Sequence, residues 1–266
     1  MRSVKGAGEG WADDAGGPAQ APAPIVAGSH LERRAGPHVR RHSVHEPRIG
    51  RLGWGLALAL VLLTLLATGP LLELDRALNV KWADRWPEPR EPLSTFLLVG
   101  QRAICLPVLF LLAAYLSRQL RSWRPLLVTA VSVLSLNAFV GIFKLLTARG
   151  TPRSENPAFF QDGVMYPSGH TANVVFVYGL AVYLLSRYGK TRGQTVRRLA
   201  VLVVVLATVM VVDGLYFRWH WFTDLISGLL AGALVLRLTV IADRRSSVAS
   251  GAEGPAGRTL HRRVGR

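Results

Sequence analysis

The chain has 266 residues, of which 50% are hydrophobic, and it carries a formal net charge of +16. This combination is unusual for one soluble core but typical of a polytopic membrane protein, whose apolar spans alternate with basic loops. A nucleic-acid partner is not predicted, because no basic stripe interleaved with aromatic residues occurs outside the segments that flank the apolar runs. The single cysteine, Cys105, excludes a disulfide framework and a thiolate metal site.

Basic, polar segments flank the apolar part of the chain. Residues 1–50 are rich in Gly, Ala, Pro, Arg and His without apolar periodicity, a composition that cannot bury enough surface to fold. We therefore predict disordered basic cytoplasmic tails at 1–50 and 244–266, around a membrane domain at 51–243. A cleavable signal peptide is not expected, because the first long apolar run begins only near Leu52 and is too long for an h-region.

Six apolar segments are each long enough, or nearly so, to cross about 30 Å of hydrocarbon as a helix. They predict an all-α fold, a bundle of six transmembrane helices. We place the spans at about 52–72, 95–117, 125–147, 170–187, 199–217 and 223–242.

The basic residues predict how this bundle is oriented. Most of the 32 lysines and arginines fall before the first span, after the second, fourth and sixth spans, and therefore on one side of the membrane. Because cytoplasmic loops concentrate Lys and Arg, we predict a multi-pass protein of the cell membrane with both termini cytoplasmic. The loops 73–94 and 148–169 and the turn 218–222 then lie on the outer side. In the first of them, Trp82 and Trp86 are interpreted as anchors at the headgroup level of an interfacial lid.

A group of cations follows the third span. Lys144 lies about one turn before the end of that span, and Arg149 and Arg153 lie in the next loop. Placing an ionisable residue near the end of a span costs free energy, so such residues are candidates for function. A guanidinium group can bind two phosphate oxygens at once. This group could bind an anionic headgroup; a lysine that only extends to the interface is the alternative for Lys144 alone.

The block Pro167-Ser168-Gly169-His170-Thr171 directly precedes the fourth apolar segment. Ser168 is a good N-cap, the exposed amides of a helix N-terminus favour an anion, and Gly169 would let phosphate approach the backbone. These residues alone leave open a second reading, a capped helix with an interfacial histidine.

His220 and Asp224 follow the fifth apolar segment at a spacing of four. That spacing places two residues on one face of a helix, and a carboxylate can hold an imidazole in one tautomer and stabilise its charged form. The pair is a candidate base or nucleophile with its orienting group.

Together, these clusters predict phosphoryl transfer without a metal. Cations and amides would stabilise the phosphoryl oxygens while one histidine attacks phosphorus and the other protonates the leaving oxygen. Water would then cleave the phosphohistidine. A two-metal site needs several convergent carboxylates, but the outer segments hold only scattered ones, so we expect neither a metal nor another cofactor.

The clusters resemble the type 2 phosphatidic acid phosphatase superfamily, whose motifs are Lys-x6-Arg-Pro, Pro-Ser-Gly-His and Ser-Arg-x5-His-x3-Asp. The middle motif is intact as Pro167-Ser168-Gly169-His170, and the resemblance covers about 52–242. It implies a six-helix membrane fold, an outward-facing site and no required metal.

Roles for individual residues also follow from the resemblance. Lys144, Ser168 and Gly169 would contact phosphate, and His170 would act as acid and base toward the leaving group. His220 would be the nucleophile, with Asp224 orienting it.

The first and third motifs depart from the family pattern at both of their arginines. Thr151 stands before Pro152 in the first motif, and Asp213-Gly214 replaces Ser-Arg in the third. Losing a charged donor to the transition state costs roughly 2–4 kcal/mol. We hypothesise that three nearby arginines supply the missing guanidinium groups: Arg149, Arg153 and Arg218.

The sequence therefore predicts a membrane lipid phosphatase with its site on the outer face of a bacterial-type cytoplasmic membrane. Candidate substrates are polyprenyl diphosphate, phosphatidic acid and phosphatidylglycerol phosphate. The membrane lipids that surround the helices are the other expected partners. A lipid phosphotransferase and a catalytically weak lipid-phosphate-binding protein are the alternatives. A transporter is less favoured, because the charges cluster at one membrane surface and not at the midplane.

Overall fold

The structure is a computed structural model that describes the backbone of residues 49–252 and the side chains of residues 49–246. This part of the chain is helical and contains no strand. Its α-helices are α1 (Gly50–Ala67), α2 (Leu72–Leu78), α3 (Trp82–Arg85), α4 (Arg90–Phe96), α5 (Arg102–Leu120), α6 (Arg124–Thr147), α7 (Gly169–Asn173), α8 (Gly179–Arg187), α9 (Gln194–Tyr216) and α10 (Phe222–Ala252). A π-helical segment, Val174–Tyr178, joins α7 to α8.

Six segments of the described chain are long and apolar enough to cross a membrane. They are Gly50–Ala67, Arg102–Leu120, Arg124–Ser154, Gly169–Arg187, Gln194–Tyr216 and Phe222–Ser246. The predicted all-α fold with six transmembrane helices is confirmed. The fourth span runs through α7, the π-helical segment and α8 without interruption.

Several predicted span boundaries differ from the structure, among them the start of the fifth span, which lies at Gln194 and not near residue 199. The first span ends at Ala67, where the chain turns into α2, and not near residue 72. The second begins at Arg102 and not near residue 95, because Gln101 has an extended backbone that separates α5 from a 3₁₀ turn at Leu97–Gly100. The last helix continues past 242 to Ala252.

The predicted tails fall largely outside the described part of the chain. Residues 1–48 and 253–266 lie outside it, and α10 extends through 244–252. The domain boundaries at 50 and 243 stay predictions.

Burial separates a central helix from peripheral ones. In the most apolar 18 residues of each span, 50% are buried in α10 and 17% are buried in α1. The outward faces of the peripheral helices carry exposed leucines and valines such as Leu111, Leu134 and Val204. An apolar surface of this extent suits contact with hydrocarbon, where backbone polar groups are already satisfied within each helix.

Close backbone packing joins α7 to α10. A Cβ atom at Gly228 would lie 2.1 Å from Thr171 Oγ1, and one at Gly232 would lie 2.5 Å from the Ala172 carbonyl oxygen. Small residues four apart let two membrane helices approach closely. The Thr171 hydroxyl uses this approach to donate to the Leu225 carbonyl at 3.0 Å. This contact brings the block around His170 next to the first turn of α10.

The connection between α1 and α5 packs onto the same end of the bundle. Tyr216, at the end of α9, donates to the Trp86 carbonyl at 2.7 Å, and Trp82 and Trp86 stack with centroids 5.1 Å apart. Asp75 of α2 is 1% exposed and pairs with the buried side chain of Arg149, from the loop after α6. A segment distant in sequence therefore contributes to the interior beneath the polar clusters.

Candidate active site

A cavity of about 460 Å³ opens where α5, α6, α7 and the turn before α10 meet. Its lining combines cationic, imidazole, amide and small side chains: Gly100, Gln101, Arg102, Ala103, Lys144, Val164, Met165, Gly169, His170, Asn173 and His220. No carboxylate occurs among these lining residues. Positive groups without an opposing acid favour an anionic ligand.

Two histidines lie at adjacent walls of the cavity. The rings of His170 and His220 have centroids 6.5 Å apart and an interplanar angle of 62°. Trp219 packs edge-on against His170, with centroids 6.1 Å apart. The structure therefore brings together the two histidines that the sequence separates by fifty positions.

Asp224 lies behind His220. Its Oδ2 atom is 3.4 Å from Nδ1 of His220, within ion-pair range although too loose for a well-formed hydrogen bond. The same oxygen accepts the Trp221 backbone N–H at 3.1 Å. Because Nδ1 faces the carboxylate, Nε2 is the nitrogen on the far side of the ring, available to a ligand in the cavity.

Arg149 forms the centre of a fully buried ion-pair network. Nη1 donates to Asp224 Oδ1 at 2.6 Å, and Nη2 donates to Asp75 Oδ2 at 2.5 Å. Nη1 also donates to Thr223 Oγ1, and Nε donates to the Pro157 carbonyl. One guanidinium thus faces two carboxylates, which leaves negative charge beside His220 to stabilise a positive imidazole.

The Pro-Ser-Gly-His block starts α7 as predicted. Ser168 Oγ accepts the Thr171 N–H at 3.5 Å, and the Ser168 N–H donates to the Asp224 carbonyl at 2.9 Å. Ser168 is fully buried, whereas Gly169 and His170 reach the cavity. The second bond ties the two histidine-bearing segments together.

Tyr166, just before this block, is fully buried. Its hydroxyl and that of Thr64 lie 2.6 Å apart, and its ring packs against Phe159. Burial raises the pKa of the Tyr166 hydroxyl. The side chain therefore stays a neutral hydrogen-bonding group that fastens the loop to α1.

Lys144 lines the cavity from α6. Its ammonium group donates to the Val164 carbonyl oxygen of the following loop. An ammonium has three donors, so this bond leaves two for a ligand.

The three arginines proposed to replace the missing ones lie outside the cavity lining. Arg149 is held by the buried acids. Arg218 donates to Asn79 Oδ1 at 2.9 Å and to the Pro152 carbonyl at 3.1 Å, and Arg153 is exposed on the loop surface. For Arg149 and Arg218, the reason is that buried carboxylates and carbonyls compete for guanidinium donors more effectively than an open cavity does.

The altered motif positions have structural occupants. Thr151 Oγ1 accepts the Arg153 N–H at the start of a short 3₁₀ turn. A Cβ atom at Gly214 would lie 2.6 Å from a methyl carbon of Leu225, so an arginine there would require Leu225 to move. Asp213 is fully buried, and among the described residues neither of its carboxylate oxygens has a hydrogen-bond partner.

Arg102 and Asp75 are site components that sequence reasoning missed. Arg102 lines the cavity, and Asp75 supports Arg149. Arg102 stands out in the sequence only as a charge near the start of an apolar run. Asp75 lies outside every recognised motif, so no local signal identified it.

Metal binding was not expected from the sequence. In residues 49–246, no group of three His, Cys, Asp or Glu side chains is placed to hold a metal ion. A metal-independent reaction stays a prediction that needs an assay.

The family model described as PAP2 superfamily matches residues 125–247. Over this range, the chain is similar to the PAP2 superfamily. The match covers the positions of all three motifs, and it confirms the resemblance drawn from them.

A solved PAP2 structure has a similar fold. It is the crystal structure of a transmembrane PAP2-type phosphatidylglycerolphosphate phosphatase from Bacillus subtilis, with a TM-score of 0.64 and 20% sequence identity. The alignment covers 73% of this chain and 96% of that chain. A search of curated protein sequences gives no match. The PAP2 match and the shared membrane fold support a membrane-bound phosphatase.

Proposed function

We propose that this chain is a PAP2-type lipid phosphatase that removes phosphate from a lipid phosphomonoester or diphosphate through a phosphohistidine. The observation that carries the proposal is the placement of His170 and His220 at one cavity, with Asp224 3.4 Å behind His220. Lys144 adds positive charge to the wall of that cavity. We further propose that the cavity opens to the outer face of the cell membrane.

In the first step, Nε2 of His220 attacks phosphorus and the bond from phosphorus to the leaving oxygen breaks. His170 donates a proton to that oxygen, so the alcohol or phosphate leaves neutralised. Asp224 stabilises the positive charge on the His220 ring, and Lys144 and the Gly169 backbone stabilise the phosphoryl oxygens. Ser168 contributes as the cap that holds the block in place.

In the second step, His170 accepts a proton from water as the water oxygen attacks phosphorus. The bond between phosphorus and His220 breaks, inorganic phosphate leaves, and both histidines return to their initial states. Arg149 takes no direct part. It fixes the carboxylate of Asp224. Arg218 is engaged by Asn79 and Pro152, and Arg153 is exposed outside the cavity lining, so neither is assigned to the phosphate.

The proposed substrate has a phosphate at the membrane surface and an apolar tail among the helices. The solved protein of similar fold is a phosphatidylglycerolphosphate phosphatase, which supports phosphatidylglycerol phosphate among the three candidate substrates. Phosphatidic acid also presents a terminal phosphomonoester, and polyprenyl diphosphate presents a terminal phosphate joined through an anhydride.

The test is phosphate release by the purified full chain in detergent from each of these three lipids, with and without a chelator. His170→Ala and His220→Ala should each lose about 100-fold to 10000-fold in turnover. Arg90→Ala is the control, because Arg90 is exposed and does not line the cavity. All variants are first checked for the elution volume of the folded protein.

Each alternative has its own outcome. Phosphate transferred to an added alcohol at the expense of free phosphate would establish a phosphotransferase. Binding of the lipids without any release would favour the lipid-phosphate-binding alternative, which the altered motif arginines suggest. Activity that disappears with the chelator and returns with a divalent metal would refute the metal-independent mechanism.

A further inference from the structure

Two cationic side chains line the cavity, Lys144 and Arg102, and Arg102 lies outside the PAP2 motifs. It begins α5, is exposed, and lines the cavity with Lys144, His170 and His220. Among the described residues, no hydrogen bond or ion pair engages its guanidinium group. A charged group held at a cavity without a partner is available to a ligand.

The guanidinium of Arg102 lies over the Pro-Ser-Gly-His block. A Cβ atom built at Gly169 would be 3.6 Å from Arg102 Nη2. Because Gly169 has no side chain, the space between this nitrogen and the backbone of α7 remains open. A phosphate oxygen placed there would meet guanidinium and backbone donors together.

The turn before α5 fixes the position of Arg102. A Cβ atom at Gly100 would lie 2.7 Å from the terminal methyl of Met210 and 3.4 Å from the His170 carbonyl oxygen. Asn173 donates to the Gly100 carbonyl at 3.5 Å, and Tyr178 donates to the Val99 carbonyl at 2.9 Å. The start of α5 is therefore held against the helix that carries His170.

Two of the other candidate arginines are already engaged, and the third, Arg153, is exposed and does not line the cavity. Arg149 uses all three of its guanidinium nitrogens in buried bonds. Arg218 uses its donors to connect Asn79 and Pro152. Arg102 differs from both because its donors face the cavity.

We propose that Arg102 is the phosphate-binding arginine of this protein and a catalytic residue. It occupies, from a different helix, the role that the first and third PAP2 motifs assign to arginines at the positions of Thr151 and Gly214. This inference rests on the proposed phosphatase function. A planar guanidinium binds two phosphate oxygens at once and stabilises the charge that they carry in the transition state.

The experiment compares Arg102→Ala, Arg102→Lys and the control Arg90→Ala in the full chain. Two quantities are measured: phosphate release from the best lipid substrate and inhibition by orthovanadate, a mimic of the phosphoryl-transfer transition state. Arg102→Ala should lower kcat about 100-fold to 1000-fold, as expected for loss of one transition-state donor. It should also weaken orthovanadate inhibition by a similar factor. Arg102→Lys should retain part of the turnover and part of the inhibition, and Arg90→Ala should match the wild type in both.

The failure of this inference is distinguishable from failure of the proposed function. An active wild type with an equally active Arg102→Ala variant would overturn the role of Arg102 and leave the phosphatase intact. A wild type that releases no phosphate would overturn the proposed function, and the role of Arg102 would then be judged by direct binding of orthovanadate. Binding that requires Arg102 would support it as a phosphate ligand, and absent or unchanged binding would overturn it.

Discussion

Arg149 donates from Nη1 to Asp224 Oδ1 across 2.6 Å, and both side chains are fully buried. The same carboxylate faces His220 with its other oxygen. The arginine therefore determines the orientation of the group that would orient the nucleophile. In the proposed mechanism, a residue of the loop after α6 would therefore act on the reaction centre through a second side chain.

Replacing Arg149 with alanine should destabilise the protein strongly. The change leaves Asp75 and Asp224 buried without their cation, and breaking a buried ion pair from one side costs about 3–5 kcal/mol. We expect a clear fall of the melting temperature in detergent together with loss of turnover. Asp75→Asn should cost less, because it keeps the bond from Arg149 to Asp224.

The matched control for this prediction is Arg90→Ala, which removes an exposed arginine. It should leave the melting temperature near that of the wild type. A melting temperature of Arg149→Ala equal to that of the control would show that the network does not stabilise the fold.

The close approach of α7 and α10 predicts opposite effects of two glycine substitutions. Gly228→Ala places a methyl group 2.1 Å from Thr171 Oγ1 and 2.4 Å from the Ser168 carbonyl oxygen. The helices must separate, at a cost of about 1–3 kcal/mol for an overpacked interior. Because the separation also moves His170 away from His220, activity should fall with the melting temperature.

Gly141→Ala is the corresponding control within α6, since a Cβ atom there meets nothing within 4 Å. Alanine favours a helix over glycine by about 0.5–1 kcal/mol, so this variant should be as stable as the wild type or more so. Equal loss of stability in both variants would contradict the packing explanation.

The two histidines should differ in a trapping experiment with a radiolabelled lipid diphosphate. The leaving group is then a lipid monophosphate, which needs little help from an acid, so His170→Ala should still form phosphohistidine from the terminal phosphate. Attack by water should become slow, because the base is missing. We expect an alkali-stable label on His170→Ala and none on His220→Ala. Label on His220→Ala would place the nucleophile elsewhere.

The predicted orientation can be tested by cysteine labelling in intact cells. The native Cys105 is only 1% exposed, so it should give little background. A membrane-impermeant maleimide should label Glu91→Cys, at the cavity end of the bundle, and spare Arg192→Cys, in the loop after α8. The reverse pattern would place the cavity on the cytoplasmic side.

Features that depend on neighbouring residues in the chain could be predicted from the sequence. An apolar run of about 20 residues has the length of a membrane-crossing helix whatever its neighbours are, so the six spans follow from local composition. The helix start at Ser168 is a local hydrogen bond between residues three apart, and it was equally predictable.

Span ends were less predictable, because hydrophobicity continues through residues whose backbone leaves the helix. The second span shows this at Gln101, where an extended backbone interrupts an apolar stretch. The turn that precedes Gln101 contacts the fourth span, where the Tyr178 hydroxyl donates to the Val99 carbonyl, and local composition carries no signal for such a contact.

By itself, the sequence of this chain determined the class of protein and the chemical groups of the site: six apolar spans, an intact Pro-Ser-Gly-His block and His220 with Asp224. Only the tertiary structure decided which cations serve the cavity. Arg149 lies near the first motif in sequence but is drawn into the interior by Asp75 and Asp224, whereas Arg102, from another helix, faces His170. The physical reason is that buried carboxylates must be paired with a cation, so Asp75 and Asp224 bind the guanidinium of Arg149. Both acids come from segments more than seventy residues away from it in the sequence.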